Sequence, residues 1–139
     1  MWIYNDQEVV VAPDGAVGFI YLMTNIETGR KYIGKKYLYS ERKVNMGKKE
    51  IAALQNKRLK KWKVVKKDSD WQEYNSSCDE IKAEIKAGVK FDKQIICWTY
   101  SKLETYYLEV KYQFQNNVLE SDEWYNKNIA SKWFKGNLK

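Results

Sequence analysis

Two tyrosines lie at matched positions on either side of a turn-rich segment. Tyr21 belongs to the apolar run FIYLM and Tyr32 to the run KYIG, and the intervening TNIETGR carries Asn25 and Gly29, which are typical of hairpin loops. Because side chains alternate along a strand, both tyrosines can project from one face of the hairpin, with Gly34 leaving room beside them. These residues alone leave two interpretations open: the tyrosines pack across the strands, or they take part in chemistry on a phosphate.

The composition narrows that chemistry, because the 139-residue chain contains no histidine. Histidine–metal nucleases, Ser-His-Asp hydrolysis and Cys-His proteolysis are excluded, so any proton transfer must use Tyr, Lys, Glu or Asp. Cys78 and Cys97 are too few for a disulfide framework or a cysteine zinc site. We therefore expect reduced thiols and a cytoplasmic protein.

An anionic membrane surface is a further alternative partner for residues 46–67, but their apolar residues form no clean stripe. A membrane-spanning segment is not expected. The longest apolar runs span only a handful of residues, whereas a membrane-spanning helix needs about 20. The N-terminus MWIYNDQEVV has neither the basic start nor the apolar stretch of a signal peptide.

The positive charge is concentrated in residues 46–67. This segment holds nine basic residues and one acidic residue, a net charge of +8, whereas the whole chain carries +7. Such a basic surface favours a polyanion, and we expect nucleic acid. A solvated solubility loop is the alternative, but it does not need the interleaved Ile51, Leu54, Leu59 and Trp62. The expected DNA-binding residues are Lys35, Lys48, Lys49, Lys57, Arg58, Lys60, Lys61 and Lys63.

The pattern of apolar residues predicts an α+β fold in a single domain spanning residues 1–139, with a small mixed or antiparallel sheet flanked by helices. A short helix is expected at 37–45. The expected strands are 7–11, 18–23, 31–34 and 93–100.

Two S-x-x-E capping boxes, at 77–80 and 101–104, predict the starts of two further helices, and Gly88 predicts the end of the first. In the second helix, apolar residues recur at helical spacing and predict its buried face: Leu103, Tyr107, Val110 and Phe114. Glu109 borders that face. Its carboxylate either holds a hard cation or lies at the surface with its aliphatic stem packed.

The paired runs FIY and YIG resemble the signature of the GIY-YIG nuclease superfamily. WIYN, PDGAVGFIY, YIGKK, the basic run, SDWQEYNSS and SDEWYN are similar, in that order, to the Seg-type endonucleases of tailed phages. The likeness extends over essentially the whole chain. One departure is Phe19, which stands where the superfamily has the first glycine of its signature.

The resemblance implies an endonuclease that hydrolyses DNA phosphodiester bonds with a divalent cation, Mg²⁺ or Mn²⁺. Tyr21 is expected to be the general base and Tyr32 to orient or share the proton. Arg42, eight residues after Gly34, matches the superfamily's arginine, and Glu109 matches its metal-binding glutamate.

Three residues are implied as supporting ones: Gly34, Lys36 and Asn126. Lys35 and Lys36 directly follow YIG, where a positive charge either favours a tyrosinate or contacts a phosphate.

Two other functions compete with the endonuclease of the GIY-YIG type. Residues 109–111 form an E-x-K triplet like that of PD-(D/E)xK nucleases, but that triplet belongs on a strand, and this one lies in a helical pattern. A non-catalytic nucleic-acid-binding module would keep the fold and the basic segment while the tyrosines only pack. The sequence leaves three properties open: the target site, whether the product is a nick or a double-strand break, and whether the protein acts as a monomer or a transient dimer.

Overall fold

The computed structural model describes residues 1–53 and 62–137. They form two compact units, Met1–Leu38 with Asp70–Lys139 and Tyr39–Ser69. The first unit combines a five-stranded mixed sheet with helices, which confirms the α+β prediction.

The central sheet has a strand order of β2-β1-β7-β3-β4. β1 runs parallel to β7, and the other neighbours are antiparallel. β4 is an edge strand, so one side of its backbone is available to side chains from elsewhere. The strands are β1 (Ile3–Tyr4), β2 (Gln7–Glu8), β3 (Gly18–Asn25), β4 (Lys31–Tyr37) and β7 (Phe91–Thr99).

The hairpin that carries the two tyrosines is confirmed. β3 and β4 pair so that Tyr21 lies opposite Gly34 and Met23 lies opposite Tyr32. Asn25 closes the loop, because its Oδ1 accepts hydrogen bonds from the amides of Glu27 and Thr28 at 2.9 and 3.1 Å. Both tyrosines therefore project from the same face of the sheet.

The two faces of the sheet bury different cores. An aliphatic cluster lies on one face and comprises Ile20, Ile33, Val118, Leu119 and Ile129. Rings fill the other face, where Trp2 packs against Phe19 and Tyr21 with centroids 5.1 Å apart. Tyr21 is thus part of an aromatic layer as well as a candidate for chemistry.

Both predicted helices after the basic segment are present, α2 (Asp79–Lys86) and α3 (Lys102–Gln115). The second capping box is confirmed, since Ser101 Oγ accepts from the Glu104 amide at 3.0 Å. The first box is wrong in detail: the N-cap of α2 is Cys78, without a side-chain cap bond. Gly88, with φ +98°, follows α2 as expected.

The predicted buried face of α3 is wrong at three of its four residues, since only Val110 packs against the aliphatic cluster. Leu103, Tyr107 and Phe114 are exposed, whereas Thr105 and Gln113 are buried. The physical reason is that the polar groups on the inner side find partners: Thr105 Oγ1 lies 2.6 Å from Thr99 Oγ1, and Gln113 binds the backbone of β4.

The second unit also corrects the sequence analysis. Residues 37–45 form no helix; β5 (Tyr39–Asn45) pairs antiparallel with β6 (Trp62–Asp68), and this pairing overrides local helix propensity. Between them lies a short helix, α1 (Lys48–Ala52).

Smaller elements complete the chain. The strand expected at 7–11 is shorter in the structure, where β2 consists of Gln7–Glu8. Val10 and Val11 lie outside that strand and are exposed. β8 (Asn128–Ile129) pairs with β9 (Trp133–Phe134), and a 3-10 helix spans Lys135–Asn137. Among the described residues, no helix has the length and apolar character to cross a bilayer.

Candidate active site

Gly34 permits a close approach between the two candidate tyrosines. A Cβ atom at position 34 would lie 2.5 Å from Tyr21 Oη and 2.8 Å from Tyr32 Cε1. Because no side chain projects there, the Tyr21 ring extends across β4 and lies 6.1 Å from the Tyr32 ring, centroid to centroid. The glycine of YIG therefore brings the phenol of the inner strand to the edge strand.

Tyr21 is sealed inside the unit. Its side chain is buried with 1% of its surface exposed, and Tyr74 packs edge-on against it at 6.0 Å. Burial raises the pKa of Tyr21 well above 10, Tyr32 and Tyr74 raise it further, and a hydrogen bond with the Ser76 side chain opposes the shift. Tyr21 is consequently a neutral phenol near pH 7.

Tyr32 has a different environment, because it lines an open cavity. Burial raises the pKa of Tyr32, the negative charge of Glu109 also raises it, and a hydrogen bond with the Ser77 side chain lowers it. Of the two tyrosines, Tyr32 is the one that lines the cavity.

The cavity has a volume of about 270 Å³ and lies where α3 meets the edge strand β4. It combines a phenol, an ammonium, a carboxylate and several amides, which are the groups expected around a phosphate and a cation. Its lining residues are Tyr32, Lys35, Tyr106, Glu109, Gln113, Asn126, Lys127, Asn128, Ala130 and Ser131.

Glu109 and Lys35 form an ion pair in this cavity. Lys35 Nζ lies 3.0 Å from Glu109 Oε1, and the two side chains are 27% and 14% exposed. The ammonium also lies 5.6 Å from the centre of the Tyr106 ring. Glu109 is therefore neither a solvated surface carboxylate nor fully enclosed, and its charge is compensated by a flexible lysine.

Two amide side chains hold the backbone of β4 beside the cavity. Asn126 Oδ1 accepts from the Ile33 amide at 3.2 Å, and its Nδ2 donates to the Ile33 carbonyl at 2.9 Å. Gln113 Nε2 donates to the same carbonyl at 3.0 Å. Together they occupy the open edge of β4 between Tyr32 and Gly34, so Asn126 fixes YIG and not Glu109.

Lys36 lies on the tyrosine face of the sheet. Its Nζ is 2.9 Å from Asp70 and 4.1 Å from the centre of the Tyr74 ring. Lys93 anchors the same loop, because its buried ammonium donates to the Tyr74 carbonyl at 2.6 Å and to Asn75 Oδ1 at 3.0 Å. Residues 70–78 are thereby held over the two phenols.

Four residues beside the two tyrosines or the cavity were not predicted as site residues from the sequence: Ser76, Ser77, Lys93 and Gln113. The spacing of Thr105, Glu109 and Gln113, four residues apart on α3, is a signal that would have found Gln113, since such residues share one helix face. Nothing in the sequence marks Lys93 or the two serines, which depend on how a loop folds back.

A model of one protein family matches residues 2–129, and it is described as "Putative endonuclease segE, GIY-YIG domain". The chain belongs to the GIY-YIG endonuclease family. The match spans nearly the entire chain, so the protein is an endonuclease that hydrolyses phosphodiester bonds, as the paired signature indicated. No curated protein and no solved structure gave a significant match.

The remaining predicted site residues of this GIY-YIG endonuclease lie elsewhere. Arg42 is on β5 and Lys63 on β6, both exposed strands of the second unit, whereas the arginine was expected on a helix. Lys48 and Lys49 belong to α1. Lys57, Arg58, Lys60 and Lys61 lie outside the described residues.

GIY-YIG nucleases are generally metal-dependent, so the donor set of the cavity was tested for fit to a divalent cation. Within residues 1–53 and 62–137, no three His, Cys, Asp or Glu side chains form a metal cluster. Glu109 offers one carboxylate, and Gln113, whose Oε1 is buried without a hydrogen-bond partner among the described residues, lines the same cavity. One carboxylate with further neutral oxygens suits Mg²⁺, which retains waters and binds substrate phosphates.

Proposed function

We propose that this GIY-YIG endonuclease cleaves DNA with a divalent cation and that the reacting phosphate binds in the cavity between β4 and α3. The observation that carries the proposal is the convergence of Tyr32, Lys35 and Glu109 on one cavity. A phenol can transfer a proton, a carboxylate can hold a metal ion and an ammonium can contact a phosphate, which together suit phosphodiester hydrolysis without histidine.

Tyr32 is the phenol best placed to take a proton from the attacking water. The sequence analysis assigned that role to Tyr21, but Tyr21 is 1% exposed and its pKa is raised well above the ordinary value. Tyr21 instead packs behind Tyr32 at 6.1 Å and holds the orientation of its ring. In this proposal Tyr32 takes the role of general base that was expected of Tyr21, and Tyr21 takes the orienting role that was expected of Tyr32.

Glu109 would hold Mg²⁺ or Mn²⁺. When bound, the cation would supply a Lewis acid for a phosphate oxygen and would neutralise the carboxylate that raises the pKa of Tyr32. Lys35 neutralises Glu109 in the free protein, and its flexible stem allows its ammonium to contact a phosphate oxygen in the complex.

The second unit supplies DNA affinity through one face of its β-ribbon. The β5–β6 register places Arg42, Lys63 and Lys67 on one face together with no acidic strand residue. Lys63 is paired with Glu50 of α1 at 2.9 Å. On the opposite face Glu41 and Asp68 balance Lys43 and Lys66, and these lysines cover Trp62 and Tyr39 at 4.3 and 4.6 Å. Phosphates are therefore expected to meet the face of Arg42, whose planar guanidinium suits bidentate contact.

A plasmid-nicking assay tests the function. Wild-type protein should convert supercoiled plasmid to nicked or linear DNA with Mg²⁺ and should not do so after chelation. Glu109→Gln should abolish cleavage while DNA affinity stays within about threefold, since the basic ribbon supplies that affinity. Glu27→Gln, at an exposed hairpin position, is the matched control and should cleave normally.

The same assay distinguishes the rival function. A non-catalytic DNA-binding module would retard DNA in a gel but leave the plasmid intact with every divalent cation. Cleavage by Glu109→Gln at the wild-type rate would contradict the assignment of the metal ligand.

A further inference from the structure

Gln113 has a buried oxygen that no group in the described part of the chain satisfies. The side chain is 5% exposed, and its Oε1 is the one buried side-chain polar atom of the described residues without a hydrogen-bond partner. Leaving a buried acceptor unpaired destabilises the folded state. An unpaired acceptor at this position therefore calls for a partner from outside the described residues.

The orientation of the Gln113 amide is fixed by its other end. Nε2 donates to the Ile33 carbonyl at 3.0 Å, and exchanging the two amide atoms would place oxygen against oxygen. The Ile33 carbonyl also accepts from Asn126 Nδ2 at 2.9 Å. Oε1 is therefore held on the side of the amide that faces away from β4.

The position of Gln113 relative to Glu109 indicates what that partner is. The two residues are four apart on α3, so their side chains are neighbours on one helix face. Both line the cavity of about 270 Å³. An amide oxygen beside a carboxylate is a donor pair for a hard cation or for one of its bound waters.

We propose that Gln113 Oε1 is the second protein oxygen of the cation site, contacting the divalent ion or its water shell beside Glu109. The proposal rests on the cation site of the proposed function and adds a ligand to it. Gln113 thereby links the ion to YIG, since the same amide binds the ion through its oxygen and Ile33 through its nitrogen.

The experiment measures Mn²⁺ binding to the DNA-free full chain by electron paramagnetic resonance of the free ion. Gln113→Met keeps the length of the side chain but removes the oxygen, and it should weaken Mn²⁺ binding roughly tenfold. Gln113→Glu replaces the amide oxygen with a charged one and should tighten binding. Gln115→Met, on the exposed side of the same helix, should bind Mn²⁺ like the wild type.

Opposite changes in the two Gln113 variants cannot come from a loosened fold, because both lose the same bond to Ile33. Gln113→Met with wild-type Mn²⁺ affinity would overturn the inference, as would weakened binding by both variants. Glu109→Gln separates the two proposals. If it weakens Mn²⁺ binding while Gln113→Met does not, only the ligand assignment fails. If Glu109→Gln leaves Mn²⁺ binding unchanged, the cation site itself fails and both proposals fall.

Discussion

Tyr21 and Gly34 face each other across the β3–β4 ladder, and the phenol of Tyr21 fills the space that a side chain at position 34 would need. The YIG glycine is therefore a packing requirement of the first tyrosine and not a hinge. The same contact places the Tyr21 ring beside Tyr32 at the edge of the sheet.

Gly34→Ala tests that relationship. The added Cβ would lie 2.5 Å from Tyr21 Oη and 2.7 Å from Tyr21 Cζ, so the ring must move. We expect the free energy of unfolding to fall by about 1–3 kcal/mol, as for other overpacked cores, and cleavage to fall with it. Urea denaturation and the nicking assay measure the two effects. Gly136→Ala, where no atom lies within 4 Å of the added Cβ, is the control; equal stability of both variants would contradict the packing role.

The two tyrosines should differ in kinetics. Tyr32→Phe removes the phenol that lines the cavity and should lower kcat by at least about 100-fold, the lower range of general-base contributions. Tyr21→Phe keeps the buried ring and should lose less. Single-turnover cleavage at saturating DNA and metal compares them. A larger loss for Tyr21→Phe would restore the base to Tyr21 and show that the site rearranges on binding DNA.

Alkaline pH should destabilise the protein through Tyr21. Its pKa is raised in the folded state above the ordinary value of 10.0, so the folded form retains a proton that the unfolded chain releases. The contribution of Tyr21 to the free energy of unfolding is complete below pH 10. It is lost as the pH rises toward the pKa of Tyr21 in the folded state. Each retained proton contributes a slope of about 1.4 kcal/mol per pH unit in that window.

Urea denaturation at several pH values from about 9 to 11.5 measures that slope in the free energy of unfolding. Tyr21→Phe should make the slope shallower by one proton. Tyr107→Phe, at a residue that is 63% exposed, should leave it unchanged. An unaltered slope in Tyr21→Phe would mean that other groups dominate the alkaline transition.

The two faces of the β5–β6 ribbon should contribute unequally to DNA binding. Replacing Arg42 and Lys67 by Gln removes two charges from the face without acidic strand residues, and the slope of log Kd against log salt should decrease by about 1.8. The matched pair Lys43→Gln and Lys66→Gln removes two charges from the face where each covers an aromatic ring. That pair should change the slope by less than about 0.5, because its charges are already balanced by Glu41 and Asp68.

Equal slopes for both pairs, measured by fluorescence anisotropy on two unrelated duplexes, would contradict the sided ribbon. The effect should not depend on the sequence of the duplex, because backbone contacts position a protein without reading bases.

The sequence by itself determined the family, the hairpin and the start of α3. Those features depend on local patterns: alternation along FIYLM and KYIG, the loop chemistry of Asn25, and the cap formed by Ser101 and Glu104. Such signals act over a few residues, so they can be read before any tertiary contact is known.

Only the tertiary structure decided which side of α3 is buried. Leu103 and Phe114 predicted an apolar inner face, yet Thr105 and Gln113 lie inside. Leu108, Val110 and Tyr112 of α3 pack against the aliphatic cluster instead. Gln113 binds the Ile33 carbonyl, which lies 80 residues away in the sequence. Helical periodicity does not encode contacts of that range.

The tertiary structure also decided that residues 39–45 pair as a strand and that Tyr21 is buried. β5 is a strand because β6 lies beside it, although residues 46–61 separate the two along the chain. Tyr21 is sealed because residues 70–78 fold over it and Lys93 anchors them. The sequence therefore identified the residue types of the candidate site. Long-range packing decided which of the two tyrosines lines the cavity.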